Sequence, residues 1–212
     1  MCKLFSGRVT GSGYDYFLVK YDASGNVLWA KEAGGTGYET ANAVATDASG
    51  NVYITGQYTS AAFSVGSTSL SNGGSYDSFL AKYDGAGNVL WAKCANGLYI
   101  DVAHSITIDV TGNVYITGQF SSNQLIFGTS SINHSGSTST YDIFTAKYTS
   151  TGTFVWAKKC GSTDTESAYS IKTDASGNVY VAGYYSSASF VFGTSTLTLV
   201  GGSDFLVLKY DS

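Results

Sequence analysis

One five-residue phrase constrains this chain more than any other. DASGN occurs at 22–26, 47–51 and 174–178, with looser copies DGAGN at 84–88, DVTGN at 109–113 and TSTGT at 149–153. Short runs of Val, Ile, Leu, Tyr, Phe and Trp flank each copy and read as β-strands. An Asp, or the Thr that replaces it, can accept hydrogen bonds from backbone amides two residues on. Gly supplies the positive φ that closes a hairpin without Cβ strain. A calcium loop needs several alternating oxygen ligands and usually a terminal Glu, whereas DASGN offers one carboxylate and Thr149 dispenses even with that. The phrase is therefore assigned to hairpin turns. The turn residues are Asp22 with Gly25, Asp47 with Gly50, Asp84 with Gly87, Asp109 with Gly112, Gly152, and Asp174 with Gly177.

The turns belong to a larger repeat. DYFLVKYDASGNVLWAK begins at Asp15, DSFLAKYDGAGNVLWAK at Asp77, DIFTAKYTSTGTFVWAK at Asp142 and DFLVLKYDS at Asp204, in steps of 62, 65 and 62 residues. A second block follows each WAK, from Ala41, Ala103 and Ala168, and a third from Phe63, Leu125 and Phe190. Fixed-period self-similarity of this kind marks a repeat architecture. The chain divides into an N-terminal arm (1–14), repeats at 15–76, 77–141 and 142–203, and a partial repeat at 204–212.

Four strands are expected per unit, typified by Ala41–Thr46, Val52–Tyr58, Phe79–Tyr83 and Val89–Lys93. Their apolar residues do not alternate, which suits sheets covered on both faces. The first strand carries small residues (Ala41, Ala43, Ala45 and their equivalents) suited to a crowded axis. Trp29, Trp91 and Trp156 sit on the last strand, where an outer position leaves room. The connection 59–76 is too long for a structureless loop and is expected to form an extra hairpin. The fold class is all-β, a β-propeller-type array of four-stranded antiparallel blades, about three and a third units long.

The phrases AKYDASGNVLWAK, ATDASGNVYITG and FGSTSL resemble the bacterial β-propeller repeat family known as SBBP, over nearly the whole chain from about Phe5 to Ser212. The resemblance implies large exported or surface proteins with no common catalytic activity. It supplies no catalytic residue, because the shared positions are turn and strand positions.

Composition narrows the function. Only 12% of residues are charged and the net charge is −4, which excludes the Lys/Arg clusters that nucleic acid requires. No run approaches the roughly 20 apolar residues of a membrane helix, and MCKLFSGRVTG lacks a signal-peptide core. There is no Gly-x-Ser-x-Gly elbow, Walker loop or His-x-x-x-His pair. Hence no catalytic residue and no cofactor are assigned.

The remaining candidates are few. Glu39, Asp101 and Glu166 each stand just before a small-residue strand; they could gather a metal at the channel mouth or bond the amides of their own loops. Lys20, Lys82, Lys147 and Lys209 recur five residues after Asp15, Asp77, Asp142 and Asp204, which suggests bonding between blades or to turns. His104 and His134 are expected to be surface or hydrogen-bonded residues. Tyr21, Tyr83, Tyr148 and Tyr210, with Tyr53, Tyr115 and Tyr180, would either pack between blades or stack on sugars.

Three and a fraction units fall short of the smallest closed ring, about four blades, so unpaired strand edges are expected. The favoured expectation is a non-enzymatic scaffold at the cell surface or outside the cell. It would self-associate by β-strand complementation into a filament or ring, through Cys2, Phe5, Asp204, Phe205, Val207, Lys209 and Tyr210. The alternatives are a multivalent glycan-binding module, a fragment of a larger surface propeller protein, and an enzyme using the channel acids.

Overall fold

In the computed structural model, which describes residues 13–211, each of the six repeated turns joins two adjacent antiparallel strands. The turn at 47–51 shows why. Asp47 Oδ1 accepts the amides of Ser49 and Asn51, both at 3.0 Å, and Oδ2 accepts Asn51 Nδ2 at 2.8 Å. Gly50 then turns the chain at φ 78°. At 149–153 the Thr149 hydroxyl takes over by accepting the Thr153 amide at 3.1 Å.

Every regular element among the described residues is a strand. The first two, β1 (Tyr16–Tyr21) and β2 (Val27–Ala33), pair only with each other. A complete blade follows, in the order β3-β4-β7-β8, built from β3 (Glu39–Thr46), β4 (Val52–Tyr58), β7 (Asp77–Tyr83) and β8 (Val89–Ala95). Between β4 and β7 lies a separate hairpin of β5 (Ala62–Val65) and β6 (Thr68–Ser71). The next blade repeats this with β9 (Asp101–Ile108), β10 (Val114–Phe120), β13 (Asp142–Tyr148) and β14 (Phe154–Cys160), plus the hairpin β11 (Gln124–Phe127) and β12 (Ser130–Asn133). The last sheet has three strands, β15 (Glu166–Thr173), β16 (Val179–Tyr185) and β19 (Asp204–Tyr210), with the hairpin β17 (Ser189–Phe192) and β18 (Ser195–Thr198). The expected extra hairpins are these three arms. Phe63 in the first is fully buried against Tyr58 and Phe79.

The blades are all-β and antiparallel and do not close into a barrel. The small-residue strands β3, β9 and β15 lie against one another along the inner side: Asn42 Nδ2 donates to Ala103 O at 2.9 Å, and Thr173 Oγ1 to Ile108 O at 3.3 Å. The Trp strands form the opposite edges. β3 and β7 begin two residues earlier than the apolar pattern predicts, at Glu39 and Asp77, because those carboxylates are buried among loop amides. The sheets also run across the boundaries at 77 and 142, so each sequence unit holds two outer strands of one blade and two inner strands of the next.

Three apolar clusters make up the core, and each one spans a junction between neighbouring blades. The absence of alternation in sequence has this cause: β7 is buried along its whole length.

A bulge accompanies Gly56. A Cβ there would come within 1.8 Å of Thr40 O, and the β3–β4 register shifts beside it, between Ala41 and Ala43. At Gly50, by contrast, space is open and only the backbone conformation excludes a side chain. Gly50→Ala is therefore expected to cost about 1–2 kcal/mol from left-handed strain alone, measurable by denaturant unfolding with an unchanged slope.

Candidate functional site at the blade junctions

Each blade has one face turned to its predecessor and one to its successor. In the second blade Phe79, Ala81 and Tyr83 look back to β1, while Leu80 and Tyr53 look forward to the third. The forward contribution largely recurs by position: Tyr53 and Ala95 at one junction match Tyr115 and Cys160 at the next, while the third strand offers Leu80 at the first and Ile143, two residues earlier in the repeat, at the second. Polar anchors fix the geometry. Trp29 Nε1 and Lys20 Nζ both donate to Gly85 O at 3.0 Å, and Trp91 Nε1 and Lys82 Nζ both donate to Ser150 O, at 3.3 and 3.1 Å. Each blade thus grips the turn of the next through a carbonyl. The Lys side of this contact follows from its repetition in sequence; the Trp side does not, although Trp29, Trp91 and Trp156 stand nine residues after Lys20, Lys82 and Lys147.

Buried carboxylates pin the loops at the other end of the strands. Glu39 accepts Gly35 N at 2.8 Å and Ser60 Oγ at 2.5 Å. Asp101 accepts Ser122 Oγ at 2.6 Å, and Glu166 accepts Ser162 N at 2.8 Å. All three are fully buried. Of the two sequence readings, the amide-bonding one describes their geometry, and among the described residues no group of three His, Cys, Asp or Glu could hold a metal ion. Burial raises the pKa of Asp77 and pushes Asp101 up to about 7, against the Ser122 hydrogen bonds that oppose the rise.

The histidines depart from expectation. The side chain of His134 is buried, edge-on to Phe120, with neither ring nitrogen hydrogen-bonded and Nε2 3.9 Å from Asp142 Oδ1. His134 N donates to Asn123 O as Asn72 N and Leu199 N donate to Ala61 O and Ala188 O, so the three residues share one position, and only the residue type differs between the repeats. His104 is half-buried beside Tyr169 with Nε2 unpartnered, and desolvation lowers its pKa. The repeated tyrosines mostly pack between blades: Tyr53, Tyr83, Tyr115 and Tyr148 are buried. Tyr53 and Tyr115 also donate their hydroxyls to Asp47 and Asp109, each at 3.0 Å. Cys94 and Cys160 are free thiols.

The described structure ends in two faces that would be junctions if another blade lay beside them. Phe17 is 76% exposed, whereas Phe79 at the same position of the next blade is 1% exposed. Val44 is 60% exposed and its equivalent Ile106 is 4% exposed. At the far end Phe205 is 84% exposed, against 0% for Ser78 and Ile143. Val207 and Tyr180 are likewise open, and their equivalents Leu80 and Tyr53 are buried. Exposure here is specific: Leu28, Leu90 and Val155 share a fourth-strand position that is open in all three described sheets that have one.

The predicted self-association residues divide accordingly. Cys2 and Phe5 lie outside the described residues. Phe205 and Val207 occupy the open face. Asp204 accepts Val200 N at 2.9 Å, and Lys209 pairs with Asp211 at 2.6 Å. Tyr210 turns inward onto Trp156 and Phe192. β19 is paired along its length with β16 of its own chain, so its outer edge, not the whole strand, is unpaired.

Comparison with known proteins agrees with this geometry. Residues 28–57 match the family model for the SBBP beta-propeller repeat. An uncharacterized WD repeat-containing protein of Acanthamoeba polyphaga mimivirus is 31% identical over 93% of this chain. A regulatory protein, FlaEY, of Caulobacter vibrioides is 28% identical over 50% of it. The chain spans only 15% and 11% of the lengths of these two relatives.

The buried acids set a pH dependence. Between the ordinary value of 3.8 and about 7, folded Asp101 holds a proton that the unfolded chain has released, so stability falls as pH rises through that window. The turn carboxylates Asp22, Asp47, Asp84, Asp109 and Asp174 have lowered pKa values. Their contribution is present above 3.8 and is lost on acidification. The melting temperature is expected to peak at mildly acidic pH, about 4–5, and Asp101→Asn to flatten the decline towards neutrality in a thermal-melt series.

Proposed function

We propose that this chain of β-propeller repeats is a non-enzymatic interaction scaffold, acting outside the cell, whose partner is a further copy of itself. One observation carries the reading: two open faces are the separate halves of a junction that recurs three times inside the chain, with the same residue positions buried. Phe17 and Val44 belong to the half that looks back, and Tyr180, Phe205 and Val207 to the half that looks forward. Such a contact is heterologous, head to tail, and yields a ring if it closes and a filament if it does not. Each half also leaves strand edges that β-augmentation can cover.

The non-enzymatic part is supported by where the conspicuous polar groups are spent. The repeated carboxylates hold loop amides, and the repeated Lys and Trp hold turn carbonyls. The extracellular part is supported by the sparsely charged, Ser/Thr-rich composition and the resemblance to surface repeat proteins.

Sedimentation velocity across a micromolar concentration series tests the reading. The expected mass rises from the 22.2 kDa chain to a multiple of it. The double variant Phe17→Ser, Val44→Ser, altered at exposed positions, is expected to weaken association at least about tenfold, since each buried apolar side chain contributes about 1.5–3 kcal/mol. A 22.2 kDa species at every concentration would overturn self-association.

A further inference from the structure

We infer that the copies join by hairpin exchange: β1 and β2 of one copy enter the last sheet of another as its third and fourth strands, displacing β19. This rests on the self-association reading above and specifies its chemistry: Tyr16 and Leu18, already packed on their own next blade, stand where Phe205 and Val207 are exposed.

β1 and β19 are the same strand of the blade by sequence, YFLVKY against FLVLKY, each following an Asp. Only β1 brings the fourth strand with it, because β2 follows through the turn at 22–26. Simple stacking of the two ends would serve poorly. The first sheet has only outer strands and the last lacks its outermost one, so the two faces would overlap along a single strand position. In the exchanged arrangement β15 and β16 supply the inner pair and β1 and β2 the outer pair, completing the order found in both intact blades.

Individual residues fit that arrangement. In the register by which β16 holds β19, Phe17 takes the place of Leu206 opposite Gly183, and Val19 that of Leu208 opposite Val181. Tyr21 takes the place of Tyr210 beside Trp156. The incoming turn offers Ala23 O to Trp156 and Lys147, as Gly85 and Ser150 are offered at the internal junctions. Val44 of the donor copy comes to lie against Tyr180 of the acceptor, as Ile106 lies against Tyr53.

The loop amide fits as well: Asp204 Oδ2 accepts Val200 N at 2.9 Å as Asp77 Oδ2 accepts Gly73 N at 2.5 Å, and in the exchanged blade Asp15 Oδ2 takes the Val200 amide that Asp204 releases.

Hydrogen exchange on the assembled wild-type chain is the test. Amides of 205–210 are expected to lose protection on assembly, while those of β1 gain it. Deleting 204–212 removes the competing strand, and the midpoint of assembly is expected to fall to about one-tenth the concentration or lower. An assembly in which 205–210 stay protected and the deletion does not promote association overturns the exchange and leaves self-association standing. A monomer throughout overturns both readings.

Discussion

A thin sheet that is apolar on both faces cannot be dry by itself. That constraint governs this molecule, because the central strands carry side chains such as Phe79 and Leu80 on opposite sides and both are buried. No blade owns a core; the cores belong to the spaces between blades. Stability is then a property of adjacency, as in other one-dimensional arrays, and each internal sheet depends on two neighbours. A terminal sheet keeps only one neighbour, which is why Phe17 and Phe205 stand in water while their counterparts do not.

Polar groups in such a stack serve to position the sheets. A buried carboxylate is costly unless its lone pairs are taken up, and here they are taken up by the loops that cross the ends of the strands. Glu39, Asp101 and Glu166 each reach back to a loop four residues upstream or forward to a Ser after the second strand. The result is a set of rigid corners at one end of the strands and Trp and Lys clamps at the other. Between them the angle from blade to blade is fixed by hydrogen bonds, and the apolar contacts fill the space so defined.

Much of this was legible because it was repeated. A turn written six times announces its own geometry, and an unalternating strand announces two buried faces. The arms were legible from Phe63, Val65 and Leu70, whose spacing excluded a bare loop. What could not be read lies in single copies and in direction. His134 is buried at a position where the other copies carry Asn72 and Leu199, so no repeated residue type marks it as an inward one. The destination of the Trp indole could not be read either, since its acceptor is a backbone carbonyl in the next unit and leaves no trace in side-chain pattern. Glu39 and its equivalents were legible as a repeated acid, but only the fold distinguishes an acid aimed at a channel from one facing its own loop.

The offset between the sequence unit and the blade has an evolutionary consequence. Each unit begins on a third strand and ends after the second strand of the following sheet, so both cut points fall at the same place in the architecture. Duplicating or deleting one whole unit would lengthen or shorten the array by one sheet and leave the two terminal surfaces chemically unchanged. Unequal recombination between such tandem copies therefore alters array size without having to reinvent the joint, and lineages can explore different sheet numbers at little structural risk.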